Sequence, residues 1–262
     1  MLLAINANNT NTVFCVFDGD KVRNTWRAAT NPKSTADEFA SWLAPLLALD
    51  GLKLQDIDAV IIAIVVPEML FNLKTLCRKY FRIDPMVLGE PGVDPGVEVR
   101  VDMRKEDIGA DRLCNTIEAH ARYGGPLIVV DYGTATNFDV VDGEGRFIGG
   151  IIATGINLSL KALYEAAAKL PHIGVKRPQR VIGKATVPAM ESGIFWGYIG
   201  LVEGLVSRIE KEYGHKMKVI ATGGLAPLFE GSIHFDAVDQ DLTVRGLLRI
   251  YQRNRPAGIT KS

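Results

Sequence analysis

The chain has 262 residues, 47% of them hydrophobic and 23% charged, with thirty basic residues against thirty acidic ones. That length builds one large domain or two modest ones around a full core, which excludes a disordered chain. The balanced charge argues against nucleic acid or a membrane surface as partner, because both select for an excess of positive charge.

Taken in chain order, the start "MLLAINANN" has no basic segment and only a five-residue apolar run, so no secretory signal is expected. Residues 2–6, 12–17 and 21–27 predict three strands, with Gly19 of "FDGD" in the second turn. "STADEFASWLAPLLAL" predicts a helix: Thr35 and Glu38 have capping-box spacing, and Phe39, Trp42, Leu43, Leu46 and Leu47 share one face. "DAVIIAIVV" predicts a strand covered on both faces. A further amphipathic helix and a short strand, "PMVLG", complete a β-β-β-α-β-α-β series. Cys15, Cys77 and Cys114 are widely spaced and form no CxxC pair, which predicts reduced thiols and a cytoplasmic protein. "SGIFWGYIGLVEGLVSRI" carries Glu203 and four glycines, too interrupted to span a bilayer.

The series then restarts. "LLAINANNTNTVFCVFDGD" from residue 2 and "LIVVDYGTATNFDVVDGEG" from residue 127 share the order apolar strand, polar turn, second strand, Asp-Gly. At an offset of 125, Asn6 matches Asp131, Asn8 matches Gly133 and Asn9 matches Thr134. "RFIGGIIA" and a helix over about 156–169 continue the parallel. A duplication is expected, with domains at 1–117 and 118–262 and the two polar turns facing each other across a cleft.

Four segments carry candidate chemistry. In "DYGTATNFD", Asp131 ends a strand, Gly133 allows a tight turn, and Thr134 and Thr136 follow. Such a turn wraps a phosphate with N–H groups and hydroxyls, and its carboxylate holds a cation, or it is a plain Asx-type turn. In "IGADRLCNT", Asp111 and Arg112 open a helix after Gly109. Helix capping accounts for the Asp; the adjacent Arg fits better a substrate site in which Asp accepts a hydroxyl proton and Arg grips a carboxylate. "GGIIATG" and "VIATGGLAPL" leave strands through glycines and enter helices, as nucleotide-side loops and ordinary connections both do. Gly193, Gly197, Gly200 and Gly204 line one helical face, suited to core packing or to a subunit interface. The four histidines show no metal-ligand spacing.

The segments "NTNTVFCVFDGD", "IGADR", "DYGTATNFD", "GGIIATGINLS", "AAAKLP", "GKATVPAMESGI" and "ATGGLAPL", in this order across nearly the whole chain, resemble the type III pantothenate kinases. The resemblance implies an α/β fold of duplicated ribonuclease-H-like (actin-like ATPase) domains around a nucleotide cleft. It implies a cytoplasmic homodimer that transfers the γ-phosphate of ATP to pantothenate, the first step of coenzyme A biosynthesis. Mg²⁺ and a monovalent cation, K⁺ or NH₄⁺, are the implied cofactors, and neither nucleic acid nor membrane is an implied partner. Residue by residue, Asp111 would be the proton acceptor, and Gly109, Ala110, Asp111 and Arg112 would hold pantothenate. Thr186 would reach pantothenate from the partner subunit. Asp131 would ligate the monovalent cation, and Thr134 would contact ATP. Asn6, Ala7, Asn8, Asn9, Thr10, Asn11, Thr12 and Val13 would form the first phosphate loop.

That loop departs from the family's Asp-x-Gly-Asn-Thr. Asn8 for Gly is a mild change, because Asn tolerates positive φ. Asn6 for Asp keeps an acceptor oxygen and deletes a full charge where a Mg²⁺-phosphate site wants a carboxylate. Thr154, where the family commonly has Pro, is a smaller departure. Two readings stand: a kinase slowed by Asn6, or a non-catalytic nucleotide- or pantothenate-binding regulator. An unrelated sugar or acetate kinase of the same fold has only the fold behind it.

Overall fold

A computed structural model of the chain describes residues 1–102, 104, 107–166 and 171–255. The chain forms two compact units, one from Met1–Glu118 together with the chain from Asp241 onward, the other from Ala119–Gln240.

In the first unit, β1 (Leu2–Ala7), β2 (Asn11–Asp18), β3 (Lys21–Ala29), α1 (Ala36–Leu49), β4 (Ala59–Ile64), α2 (Leu70–Leu76) and β5 (Met86–Val87) follow in the expected order. The sheet order is β3-β2-β1-β4-β5, antiparallel at β1–β2 and β2–β3 and parallel at β1–β4 and β4–β5. All six residues of β1 are buried because the sheet is covered twice. Leu3, Ile5 and Ala7 pack with Phe39, Leu43 and Leu73 from α1 and α2. Leu2 and Ala4 pack on the other face with Cys114 of α3 (Ala110–Tyr123) and with Val244, Leu247 and Leu248 of α7 (Leu242–Asn254). At α1 the capping box forms: Glu38 N–H donates to the Thr35 hydroxyl at 3.3 Å, and Thr35 N–H donates to the Glu38 carboxylate at 2.7 Å.

The second unit repeats the plan with β6 (Leu127–Tyr132), β7 (Ala135–Val141), β8 (Phe147–Thr154), α4 (Ile156–Ala166), α5 (Thr186–Tyr213), β9 (Lys218–Thr222), α6 (Ala226–Phe229) and β10 (Ala237–Val238). Its sheet order β10-β9-β6-β7-β8 is the first sheet's order strand for strand. The first hairpin pairs Ala7 with Thr12, whereas the second pairs Tyr132 with Thr136. The turn is therefore one residue shorter in the repeat, and the offset of 125 becomes 124 beyond it. Residues 167–169 of the expected helix, and most of "AAAKLP", lie outside the described residues.

One sequence expectation changes, and one open alternative narrows. Residues 118–262 were expected to form one domain, but α7 buries Val244, Leu247 and Ile250 against the first sheet. The stripe Gly193, Gly197 and Gly200 does not serve core packing: these residues are exposed and nothing lies within 4 Å of where their Cβ atoms would stand. Cys15, Cys77 and Cys114 are buried free thiols, as core residues should be. No helix among the described residues is long and apolar enough to cross a membrane.

Candidate active site

In the first unit the polar turn follows β1. Asn6 and Ala7 end the strand, Asn8, Asn9 and Thr10 form the turn, and Asn11, Thr12 and Val13 begin β2. The Asn8 N–H donates to the Asn11 carbonyl at 3.1 Å. Thr30, just beyond β3, braces the turn from the side. Its hydroxyl donates to the Asn8 carbonyl at 2.5 Å, and its N–H donates to the Thr10 carbonyl at 2.9 Å. With that proton committed, the Thr12 hydroxyl donates to the Thr30 hydroxyl at 3.0 Å. Asn9, Thr10 and Asn11 are left facing solvent.

Asn6 is 3% exposed and its Oδ1 has no hydrogen-bond partner; the buried Oδ1 of Asn8 has none either. Buried polar atoms are nearly always paired, and leaving one unpaired costs about 1–3 kcal/mol. Two orphaned acceptor oxygens at one strand end fit a cation or the water around it. They bring no negative charge, and among the described residues no three His, Cys, Asp or Glu side chains converge to hold a metal by themselves.

Also in the first unit, α3 begins at Ala110, so Gly109 lies just outside it and Asp111 and Arg112 are in its first turn. The Arg112 N–H donates to Asp111 Oδ1 at 2.8 Å. Asp111 therefore makes a helix-start hydrogen bond. Burial pushes its carboxyl above the ordinary aspartate value, outweighing the Arg112 N–H and guanidinium, which pull it down. A carboxylate held in this way is a better proton acceptor than a solvated one. Gly109 and Ala110 line a cavity of about 640 Å³ whose other walls include Ile64, Leu88, Val93 and Leu113. The cavity lies past the carboxyl ends of the parallel strands β4 and β5, where ligands bind in open α/β sheets.

In the second unit, Asp131 is half-buried near the end of β6, and the Gly133 N–H closes the hairpin on the Ala135 carbonyl at 3.0 Å. Thr134 is exposed at the turn. Gly223, at φ +90°, lies so close that a Cβ there would stand 2.7 Å from Asp131 Oδ1 and from the Tyr132 N. At Gly155 a Cβ would fall 2.1 Å from the Thr134 carbonyl oxygen. Both glycine turns flagged in the sequence are thus pressed onto the Asp131 hairpin. Beneath it the Tyr132 ring stacks on Phe229 at 5.1 Å, and Tyr198, hydrogen-bonded to Thr136, packs beside them. Thr186 is the exposed first residue of α5 in this unit, while Gly109–Arg112 are in the other.

Sequence reasoning missed Thr30 and the loop from Gly89 to Gly96. Nothing near Thr30 in sequence marks it, since its partners are 18 to 22 residues away. Three glycines in 89–96 could have flagged the loop: Gly89, Gly92 and Gly96 all have positive φ.

Two α/β units whose five-stranded sheets share one strand order, each with a polar turn after its first strand, define the actin-like ATPase and sugar-kinase fold. A 2-dehydro-3-deoxygalactonokinase assigned in Sinorhizobium meliloti has this fold, with a TM-score of 0.60 at 14% identity over 100% of this chain and 99% of that one. The type III pantothenate kinase family model matches residues 2–208. A type III pantothenate kinase of Paramagnetospirillum magneticum is 60% identical over 97% of this chain and 98% of its own. That of Rhodospirillum rubrum is 59% identical over 98% and 100%. The chain belongs to the type III pantothenate kinase family.

Proposed function

We propose that the chain transfers the γ-phosphate of ATP to the hydroxyl of pantothenate in the cytoplasm. The observation that carries this reading is the half-buried Asp111 carboxyl, held above its ordinary pKa in the first turn of α3, directly after the cavity-lining Gly109 and Ala110. Asp111 accepts the hydroxyl proton, and Arg112 orients the acid end of the substrate. Asn6–Val13 and Thr134 hold the ATP phosphates through turn N–H groups and hydroxyls. Asp131 would hold K⁺ or NH₄⁺, and Asn6 Oδ1 would accept a hydrogen bond from a water of Mg²⁺ or bind the ion itself. The Mg²⁺ contribution is to neutralise triphosphate charge. Exposed Ile152, Val181 and Ile182, together with the open glycine face of α5, support a homodimer in which Thr186 reaches the partner's substrate.

Phosphopantothenate formation from ATP, Mg²⁺, K⁺ and pantothenate tests the reading; no product and no pantothenate binding would reject it. Asn6 shapes a second reading. A neutral amide at that position weakens charge neutralisation where phosphoryl transfer depends on it. Asn6→Asp should raise kcat/KM for ATP by about tenfold or more and lower the Mg²⁺ concentration needed for half-maximal rate. If neither version turns over and both bind pantothenate, the chain is a regulator. If Asn6→Asp changes nothing in an active enzyme, the amide is no handicap.

A further inference from the structure

The loop Gly89–Gly96 forms one wall of the cavity that Gly109 and Ala110 also line. It turns through positive φ at Gly89, Gly92 and Gly96, with a backbone hydrogen bond inside it, from the Val93 N–H to the Glu90 carbonyl at 3.2 Å. It is tied down at two points. At the start, Lys74 of α2 makes a salt bridge with Glu90. At the far end, Asp94 is gripped by the end of α7, 159 and 160 residues later. The Asp94 N–H donates to Asn254 Oδ1 at 2.8 Å, and Asn254 Nδ2 donates back to the Asp94 carbonyl at 2.7 Å. Arg253 Nε donates to Asp94 Oδ2 at 2.7 Å, and the Gly96 N–H donates to Asp94 Oδ1 at 2.9 Å. The fit is close: a Cβ on Gly96 would stand 2.8 Å from Arg253 Cδ.

We infer that Asp94, Arg253 and Asn254 are positioning residues for the phosphate acceptor: the last helix sets the width of the acceptor pocket by clipping its outer wall. This rests on the proposed assignment of Gly109–Arg112 to pantothenate. The chemistry of the lining agrees, since Ile64, Leu88, Val93 and Leu113 suit the branched apolar body of that substrate. The clip's hydrogen bonds described above hold the cavity wall and are not made to Asp111 or to the β1–β2 turn, so its loss should act on acceptor affinity and leave ATP alone. Arg253 and Asp94 side chains are 55% and 53% exposed, and an exposed ion pair adds little to global stability. A kinetic effect is therefore separable from unfolding.

The experiment compares the parent with Asp94→Ala, Arg253→Ala, Asn254→Ala and the Asp94→Ala/Arg253→Ala double variant. Steady-state kinetics are measured in each substrate, with calorimetric titration of pantothenate and a melting curve. Each single variant should raise the pantothenate KM and Kd about fivefold or more, with kcat and the ATP KM within about twofold. The double variant should be no worse than the more damaged single one, because both changes break one contact. Arg253→Lys, which keeps the charge, should recover part of the loss; it also serves if Arg253→Ala fails to fold. An unchanged pantothenate KM, or parallel loss in kcat and both KM values, overturns the inference while the kinase reading stands. A parent that neither turns over nor binds pantothenate fails the kinase reading itself, and the clip falls with it.

Discussion

At the scale of single residues, the first unit holds two polar groups under tension. Asn6 Oδ1 is buried without a partner, and Asp111 is a carboxyl that burial disfavours in its charged form. The second has a consequence for pH. The native state binds the Asp111 proton more tightly than the unfolded chain does. Folding stability is therefore lost as pH rises from the ordinary aspartate value of about 4 to the raised native value. Activity runs the opposite way, because the base must be ionised. The acid limb of kcat/KM should fall above pH ~4, and Asp111→Asn should abolish turnover while leaving the melting temperature equal or higher. A limb at or below the ordinary value, or an Asn variant that melts much earlier, would contradict this account. Thr30 makes a second case. Thr30→Val keeps the shape but loses both hydroxyl contacts to the β1–β2 turn, and should raise the ATP KM about tenfold at a stability cost of about 1–2 kcal/mol. Thr30→Ser should recover most of it; equal ATP kinetics in Val and Ser variants would show that the hydroxyl does not set the turn.

At the scale of elements, what was legible depended on how locally each feature is encoded. The doubly buried β1 and β4 read directly from unbroken apolar runs, and α1 from its apolar period and the Thr35–Glu38 pair. The repeat read from matching strand-turn-strand patterns, and the two sheets share one strand order. Its turn lengths did not read, because one residue more between Ala7 and Thr12 leaves the pattern of apolar positions nearly intact. The glycine turns at Gly155 and Gly223 were visible as breaks, but their pressure on the Asp131 hairpin arises only once β8 is paired with β7 and β9 with β6. Thr30, and Asp94 with Arg253 and Asn254, escaped for the same reason. Their partners are brought together by tertiary folding, and no local spacing announces them. Of the candidate site, the residue types at Asp111, Asp131 and the β1–β2 turn were legible; the burial that raises Asp111 was not.

At the scale of the molecule, the chain is not two successive beads. Helix α7 returns to complete the core of the first unit, and Gly246 makes the return possible by lying against α3. A Cβ at this position would stand 2.2 Å from the Cys114 carbonyl oxygen. Gly246→Ala should therefore lower stability by about 1–3 kcal/mol through forced displacement of two packed helices, seen as a drop of several degrees in the melting curve. The pantothenate KM should rise with it, because displacing α7 loosens its grip on Asp94. An unchanged melting curve would mean that the two helices part easily there.

The return of α7 also bears on how the protein is made. As the chain leaves the ribosome, residues 1–118 emerge first yet lack α7, which with α3 covers one face of their sheet. The core cluster of the second unit lies wholly within Ala119–Gln240. Until the chain is made as far as Ile250, Leu2, Ala4 and Ile61 have Leu88 and the α3 residues Ala110 and Cys114 on that face but lack Val244, Leu247 and Ile250, so the first unit's core is completed by residues made after the whole of the second unit.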